Sequence, residues 1–153
     1  MLDLRSAPAD PPDGGVPPRP LLGVSIGSQA ANGAPILVVE DDESILGMVM
    51  QILRVEGYPA VAAANGLEGL AAIERATPSL ILLDMRMPQM DGWEFARILK
   101  VRGVACPIVV MTAAENAKRW ASEVGADGYV TKPFDFLELI EAIERHRRRP
   151  ARN

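Results

Sequence analysis

Three short, uninterrupted apolar runs constrain the fold of this chain more than any other feature. They read ILVVE at 36 to 40, LILLD at 80 to 84 and PIVVMT at 107 to 112, and each ends on a polar residue. A strand with one face in water alternates apolar and polar residues, whereas a strand buried on both faces does not. The runs therefore predict the central strands of a sheet that is covered on both sides.

Weaker strand patterns and helical patterns fill the intervals. YPAVAAA at 58 to 64 contains Pro59, which suits an edge strand, and GYVT at 128 to 131 predicts a fifth strand. Helical segments follow the strands: one carries Ile45, Val49, Ile52 and Leu53 and stops at Gly57, and the others cover 66–76, 91–101, 115–124 and the residues after Asp135. Because parallel strands need crossover connections, five such repeats predict a doubly wound α/β domain with a five-stranded parallel sheet and five helices.

The ends of the chain have a different composition from these repeats. Seven of the 13 prolines lie in the first 35 residues, together with several glycines and without a sustained apolar period. We therefore predict a disordered Pro/Gly-rich tail over 1–34, a single domain over 35–148 and a short basic tail over 149–153. The total of 153 residues is enough for one well-buried core.

Charge, cysteine content and the N-terminus exclude several classes of protein. The net charge of −4 and the absence of a DNA-reading motif argue against nucleic-acid binding, and the single cysteine, Cys106, excludes an internal disulfide. The first residues lack the basic head and long apolar core of a secretory signal, and no apolar run approaches the roughly 20 residues of a membrane helix. We expect a cytoplasmic protein that does not bind membranes.

Polar residues follow the predicted strands at the points where the strands end. Glu40, Asp41 and Asp42 come after the first strand, and Asp84 comes after the third. Thr112 ends the fourth strand and Lys132 follows the fifth. Because ligands of doubly wound sheets bind beyond the carboxyl ends of the strands, we expect these side chains to gather at one edge of the sheet.

The chemistry of this set points to phosphoryl transfer. Carboxylates that cluster without His or Cys favour a hard cation, and so few ligands favour Mg²⁺, which commonly shares a site with phosphate. A lysine supplies a point charge and a threonine a hydroxyl for phosphoryl oxygens. Neither a glycine-rich phosphate loop nor a dinucleotide fingerprint is present, so a nucleotide is not the obvious donor.

In this order, four segments resemble the receiver domains of two-component response regulators over residues 35–148. ILVVEDD resembles the acidic first strand of that family, LLDMRMPQMDGWE the phosphoacceptor segment, VVMTA the switch hydroxyl and GYVTKPF the lysine–proline turn. The resemblance implies a flavodoxin-like receiver fold.

The resemblance also implies a role for each matching residue. Asp84 corresponds to the phosphorylated aspartate. Mg²⁺ would be held by Glu40, Asp41, Asp84 and the backbone carbonyl of Arg86. Phosphoryl oxygens would be contacted by Thr112 and Lys132, and the conformational switch would use Thr112 and Tyr129. Pro133 occupies the usual cis-proline position of the family.

Three residues keep more than one interpretation. The segment EDDE also allows a register in which Asp41 and Asp42 form the acidic pair; we prefer Glu40 and Asp41 because four apolar residues precede them and Asp42 can then cap the first helix. The Arg86 side chain either influences attacking water or partner choice, or is a solvated surface arginine. Trp120, in an otherwise polar helix, is either a contact residue or part of the core.

The resemblance implies a signalling protein rather than an enzyme with an external substrate. We expect a single-domain, chemotaxis-type regulator that takes a phosphoryl group from a phosphohistidine of a histidine kinase or phosphotransfer protein. It would catalyse only its own phosphorylation and dephosphorylation. It would bind a downstream protein target through its fourth helix, fifth strand and fifth helix, and exist as a monomer or weak dimer.

The alternatives are a receiver segment of a hybrid histidine kinase, a phosphorelay intermediate and an aspartyl-phosphate phosphatase. The last is disfavoured because Arg86 stands where such hydrolases have a second aspartate.

Overall fold

A computed structural model describes residues 33–149 of the chain. Most of the predicted Pro/Gly-rich tail, residues 1–32, and residues 150–153 of the predicted basic tail lie outside the described residues. The strands are β1 Ile36–Val39, β2 Ala60–Ala63, β3 Leu80–Asp84, β4 Ile108–Ala113 and β5 Gly128–Lys132. The helices are α1 Glu43–Val55, α2 Gly66–Arg75, α3 Gly92–Val101, α4 Ala114–Val124 and α5 Phe136–His146.

The five strands form one parallel sheet in the order β2-β1-β3-β4-β5. This confirms the predicted α/β class and the predicted edge position of β2. The order reverses at β1, which has β2 on one side and β3 on the other. The cleft beyond β1 and β3 is therefore the switch point where such sheets bind ligands.

Successive residues of the central strands feed two separate cores. Leu37 and Ile81 belong to a core shared with α2, α3 and α4, whereas their neighbours Val38 and Leu82 belong to a core shared with α1 and α5. All four side chains are at most 1% exposed. The uninterrupted apolar runs are thus explained, since each strand has an apolar layer on both of its faces.

Side chains at the N-termini fix where four of the helices begin. Asp42, Asn65, Asp91 and Asp135 each accept a hydrogen bond from a backbone N–H in the first turn of α1, α2, α3 and α5. Helix α4 has no such cap and begins at Ala114, one residue before the predicted start. It ends at Val124 and is followed by Gly125, whose φ of +70° favours glycine.

Among residues 33–149, no helix is both long enough and apolar enough to span a membrane.

Candidate functional site

An open cavity of about 360 Å³ lies at the carboxyl edge, which we define as the edge of the sheet where the strands end. Its lining contains every polar residue predicted from the strand ends. The lining consists of Glu40, Asp41, Asp42, Ile45, Asp84, Arg86, Thr112, Ala113, Asn116, Trp120 and Lys132.

Three carboxylates from two neighbouring strands meet in this cavity. Glu40, Asp41 and Asp84 each offer one oxygen, and these oxygens lie within 4.8 Å of one another. Glu40 and Asp84 are 1% and 5% exposed, whereas Asp41 is exposed. Carboxylates so close and so buried repel one another unless a cation or a proton compensates them.

Lys132 supplies one compensating charge. Its Nζ lies 2.9 Å from Glu40 Oε1 and donates a hydrogen bond of 3.2 Å to Asp84 Oδ1. Burial alone would lower the pKa of Lys132, but hydrogen bonding and attraction to Glu40 and Asp84 outweigh it and raise the pKa. The lysine therefore remains a cation. The peptide bond between Lys132 and Pro133 is cis.

One lysine does not compensate three carboxylates. Burial and the charge of Glu40 raise the pKa of Asp84 to about 7, against the opposing effect of Lys132. Near neutral pH and without a metal, Asp84 is therefore partly protonated. A carboxylate under such repulsion is poised to gain a cation or to change its charge by reaction.

The donor set fits a hard divalent cation. The cluster offers carboxylate oxygens only, which suit Mg²⁺ better than zinc or copper. Glu40 Oε1 is buried, and its partner among the described residues is the Lys132 ammonium at 2.9 Å. A bound cation would give this oxygen a second positive partner.

The geometry separates the two possible acidic registers. Asp42 Oδ1 accepts the Ile45 backbone N–H at 3.0 Å and caps α1, and the Asp42 backbone N–H donates to Glu40 Oε2 at 3.1 Å. Asp42 lines the cavity but is not a member of the group of converging carboxylates within residues 33–149. The geometry therefore favours the pair Glu40 and Asp41.

The two predicted switch residues lie in different places. Thr112 is 5% exposed near the end of β4 and lines the cavity. Tyr129, on the adjacent strand β5, is 40% exposed and lines a separate groove of about 260 Å³ between β5 and α5. The structure thus places Thr112 in the cavity and Tyr129 at the outer surface.

One part of the cavity wall includes a residue that was not predicted from the sequence, Asn116. Asn116 and Trp120 lie one turn apart on α4 and both line the cavity. Their spacing of four residues places them on one helical face, so the face was visible in the sequence once the start of α4 was assumed. Trp120 is 4% exposed and belongs to the core, so it is at once a core residue and a wall residue.

The Arg86 side chain covers Trp120. The guanidinium carbon lies 5.1 Å from the centroid of the Trp120 ring, and Trp93 meets the same ring edge-on at a centroid distance of 4.8 Å. The Trp93 indole N–H donates to Glu123 Oε1 at 2.8 Å. Arg86 is exposed, and its guanidinium makes an aromatic contact at the rim of the cavity.

The methionines beside Asp84 are packing residues. Met85 and Met87 are 0% and 8% exposed in the core shared with α2, α3 and α4, and Met90 packs against that core. The converging donors of the cavity are carboxylate oxygens, which agrees with a packing role for these methionines.

Comparisons with known proteins agree with this geometry. The family model described as "Response regulator receiver domain" matches residues 36–144. The transcriptional regulatory protein PcoR of Escherichia coli is 38% identical over 110 residues, which cover 71% of this chain and 49% of PcoR. The sensory transduction protein RegX3 of Mycolicibacterium smegmatis is 38% identical over 120 residues, which cover 77% of this chain and 52% of RegX3. The chain thus spans about half the length of these curated relatives.

Solved structures match along nearly their whole length. The chemotaxis response regulator CheY4 of Vibrio cholerae has a TM-score of 0.67 at 34% identity, over 73% of this chain and 97% of CheY4. The response regulator TrrA of Thermotoga maritima, solved in complex with Mg²⁺ and BeF, has a TM-score of 0.66 at 33% identity, over 73% of this chain and 97% of TrrA.

Proposed function

The chain belongs to the response regulator receiver domain family, and from this premise we propose that Asp84 accepts a phosphoryl group from a phosphohistidine. The observation that carries the proposal is the convergence of Glu40, Asp41 and Asp84 within 4.8 Å, with Lys132 Nζ in contact with two of them. This arrangement combines a carboxylate nucleophile, a place for a metal and a fixed cation, which phosphoryl transfer to aspartate requires.

The chain's own residues perform defined parts of the transfer. A carboxylate oxygen of Asp84 attacks phosphorus in line, forming a P–O bond as the P–N bond to the donor imidazole breaks. Lys132 offsets charge on the phosphoryl oxygens, and the Thr112 hydroxyl donates to another of them. Hydrolysis later breaks the P–O bond, releases inorganic phosphate and restores the Asp84 carboxylate.

Mg²⁺ held by Glu40, Asp41, Asp84 and the backbone carbonyl of Arg86 would neutralise part of the charge that develops during transfer. The fit of the oxygen-only cluster, including the buried acceptor Glu40 Oε1, supports this assignment.

Chemical phosphorylation tests the role of Asp84 directly. Wild-type protein incubated with acetyl phosphate and Mg²⁺ is expected to gain one phosphoryl group in intact-protein mass spectra, whereas Asp84→Asn is expected to gain none. Asp91→Asn serves as the matched control, because asparagine preserves the cap of α3 and the residue lies outside the cavity lining. Equal labelling of wild type and Asp84→Asn would refute the assignment.

A pair of variants separates the two acidic registers. Asp41→Asn is expected to weaken Mg²⁺ binding at least tenfold, on the order of the loss of one charged ligand. Asp42→Asn keeps the helix cap and is expected to change the Mg²⁺ affinity by less than about threefold. The reverse order, measured by calorimetric titration, would favour Asp41 and Asp42 as the acidic pair.

We propose that phosphorylation changes the surface formed by α4, β5 and α5. Thr112 moves toward the phosphoryl group and Tyr129, on the neighbouring strand, changes its side-chain conformation. Amide NMR shifts in these three elements are expected to change when Mg²⁺ and beryllofluoride are added, and Thr112→Ala is expected to suppress most of the change. Shifts confined to the cavity would argue against a switch at this surface.

We propose that the chain acts as a single-domain regulator in the cytoplasm, with a histidine kinase or phosphotransfer protein as donor and a protein as downstream target. It has no external substrate and no nucleic-acid partner, and it is a monomer or weak dimer. The near-complete coverage of CheY4 supports a regulator of this size.

An antibody against the domain is expected to detect a cellular protein of about 16.5 kDa, the mass of this chain. A single larger band would instead indicate a receiver segment of a longer protein, such as a hybrid kinase.

A further inference from the structure

Arg86 is a cation whose visible partner is an aromatic ring. Its guanidinium lies 5.1 Å from the Trp120 centroid, while its side chain is exposed at the rim of the cavity that contains Asp84. Within residues 33–149, no carboxylate lies within ion-pair distance of Arg86. The acids of the cavity are instead in contact with Lys132.

The charge of the cavity changes when Asp84 is phosphorylated. Before transfer, three carboxylates are balanced by Lys132 and one divalent cation. Transfer replaces the single charge of Asp84 by a phosphoryl group that carries close to two negative charges at neutral pH. The phosphorylated cavity therefore has about one negative charge in excess, and Arg86 is a cation already at its rim.

The Arg86 guanidinium can contact either the Trp120 ring or a phosphoryl group on Asp84, and the relative strength of these two contacts decides which one it makes. A cation–π contact at an exposed rim is a weak interaction, whereas guanidinium hydrogen bonds to phosphoryl oxygens are charge-assisted and often paired. Arg86 follows Asp84 by two residues, and both residues line the same cavity.

We propose that Arg86 is an anion-responsive arm that leaves the Trp120 ring and donates hydrogen bonds to the phosphoryl group on Asp84. The inference rests on the proposed phosphorylation of Asp84, and it adds a second phosphoryl-binding cation to Lys132. In the unphosphorylated state the arm is held by Trp120, which is itself positioned by the edge of Trp93. Phosphorylation therefore uncovers one face of Trp120 between α3 and α4.

NMR of the full chain measures the position of the arm. Protons above an indole face are shifted upfield by the ring current, so the δ-methylene and Nε–H signals of Arg86 are expected upfield of those of the other arginines. Trp120→Leu is expected to abolish this displacement in the unloaded protein. Addition of Mg²⁺ with beryllofluoride is expected to abolish it in wild type, whereas Mg²⁺ alone leaves it in place.

Affinity for beryllofluoride gives an independent readout. In the presence of Mg²⁺, Arg86→Met is expected to weaken beryllofluoride binding by about tenfold, the scale of one hydrogen bond to a charged group. Arg86→Lys is expected to recover only part of the loss, because an ammonium does not reproduce the paired donors of the guanidinium. Arg54→Met, an exposed substitution on α1 with the same change of charge, is the control and is expected to bind within about twofold of wild type.

The outcomes distinguish the arm from the phosphorylation site itself. If wild type binds beryllofluoride but Arg86 stays upfield, or Arg86→Met binds as tightly as wild type, the arm is refuted while Asp84 keeps its role. If wild type and Asp84→Asn both fail to bind beryllofluoride, the proposed function and the arm are refuted together.

Discussion

The two edges of the sheet shift the pKa of one carboxylate each, in opposite directions. At the carboxyl edge, burial and the charge of Glu40 raise the pKa of Asp84 to about 7. At the amino edge, where the strands begin, the pKa of Glu144 is lowered: burial opposes the shift, but a hydrogen bond from Tyr58 and the charges of Arg147 and Arg149 outweigh it. Ionisation is therefore disfavoured at Asp84 and favoured at Glu144.

At the amino edge, donors and acceptors pair in a hydrogen-bond network centred on Glu144. Glu144, at the end of α5, accepts the Tyr58 hydroxyl, Arg147 Nε at 3.2 Å and an Arg149 amino group at 3.2 Å. Asp127, just before β5, accepts the Ile108 backbone N–H at 2.9 Å. This edge therefore stabilises the fold.

The carboxyl edge instead has three converging carboxylates, and Lys132 is in contact with two of them. Such arrangements reduce stability and are typical of functional sites. The amino edge therefore supplies stability that the carboxyl edge gives up for ligand binding.

Backbone crowding at the two edges gives the largest expected effect. A Cβ at Gly92 would lie 2.8 Å from Met85 Cα and 3.1 Å from the Asp84 carbonyl oxygen, so backbone must move directly beside the phosphoacceptor. Gly92→Ala is expected to lower the free energy of unfolding by about 2–4 kcal/mol, the scale of an overpacked buried site. Urea unfolding measures the change.

The matched variant at the amino edge is Gly128→Ala. Its Cβ would meet the imidazole end of His146, a side chain that can move aside, so the expected loss is below about 1 kcal/mol. Gly47→Ala, which meets nothing within 4 Å on α1, is expected to be neutral or stabilising. Equal losses for Gly92→Ala and Gly128→Ala would contradict the claim that backbone packing supports the carboxyl edge more rigidly.

Removal of the central acceptor tests the amino edge. Glu144→Ala leaves the largely buried Tyr58 hydroxyl without its acceptor and is expected to lower the free energy of unfolding by about 2 kcal/mol. Glu141→Ala, an exposed acid on the same helix, is the control and is expected to cost less than about 0.5 kcal/mol. Similar losses for both variants would mean that the network contributes little.

Neutralising Asp84 is expected to raise the free energy of unfolding, whereas the preceding variants lower it. Because its pKa in the folded protein is above the unfolded value, the folded state binds more protons, and stability falls as pH rises from about 4 to about 7. In EDTA at pH 7.5, Asp84→Asn is expected to be more stable than wild type by about 1–2 kcal/mol, less than the full linkage value because Lys132 loses an ionic partner.

The pH dependence identifies the cause of that gain. Below about pH 3 the advantage of Asp84→Asn is expected to disappear, since Asp84 is then protonated in both folded and unfolded wild type. Glu141→Gln is expected to show no such dependence. A gain that is constant from pH 4 to pH 8 would assign the effect to packing rather than to charge.

Metal binding is expected to relieve the same repulsion by a comparable amount. At free Mg²⁺ tenfold above its dissociation constant, wild type is expected to gain about 1.4 kcal/mol in unfolding free energy, and EDTA removes the gain. Asp41→Asn is expected to lose most of the effect at the same Mg²⁺ concentration. Equal stabilisation of wild type and Asp41→Asn would place the Mg²⁺ elsewhere.

The strands and helices followed from local sequence because their signals are local. ILVVE and LILLD lack the alternation of a half-exposed strand, and aspartates at 42, 91 and 135 precede helical periods as caps do. The structure moves several boundaries by one or two residues, for example extending β4 to Ala113. Such shifts arise because terminal residues are set by tertiary hydrogen bonds as well as by propensity.

Apolar patterning and strand direction are sufficient to predict the doubly wound sheet and the polar residues at its carboxyl edge. The surroundings of these residues depend on the three-dimensional packing: the contact of Arg86 with Trp120, the network of Tyr58 and Glu144, and the raised pKa of Asp84. Arg86 and Trp120 are 34 positions apart in the chain, Tyr58 and Glu144 are 86 apart, and Glu40 and Asp84 are 44 apart. Their energies depend on distance and burial, which no local stretch of the chain contains.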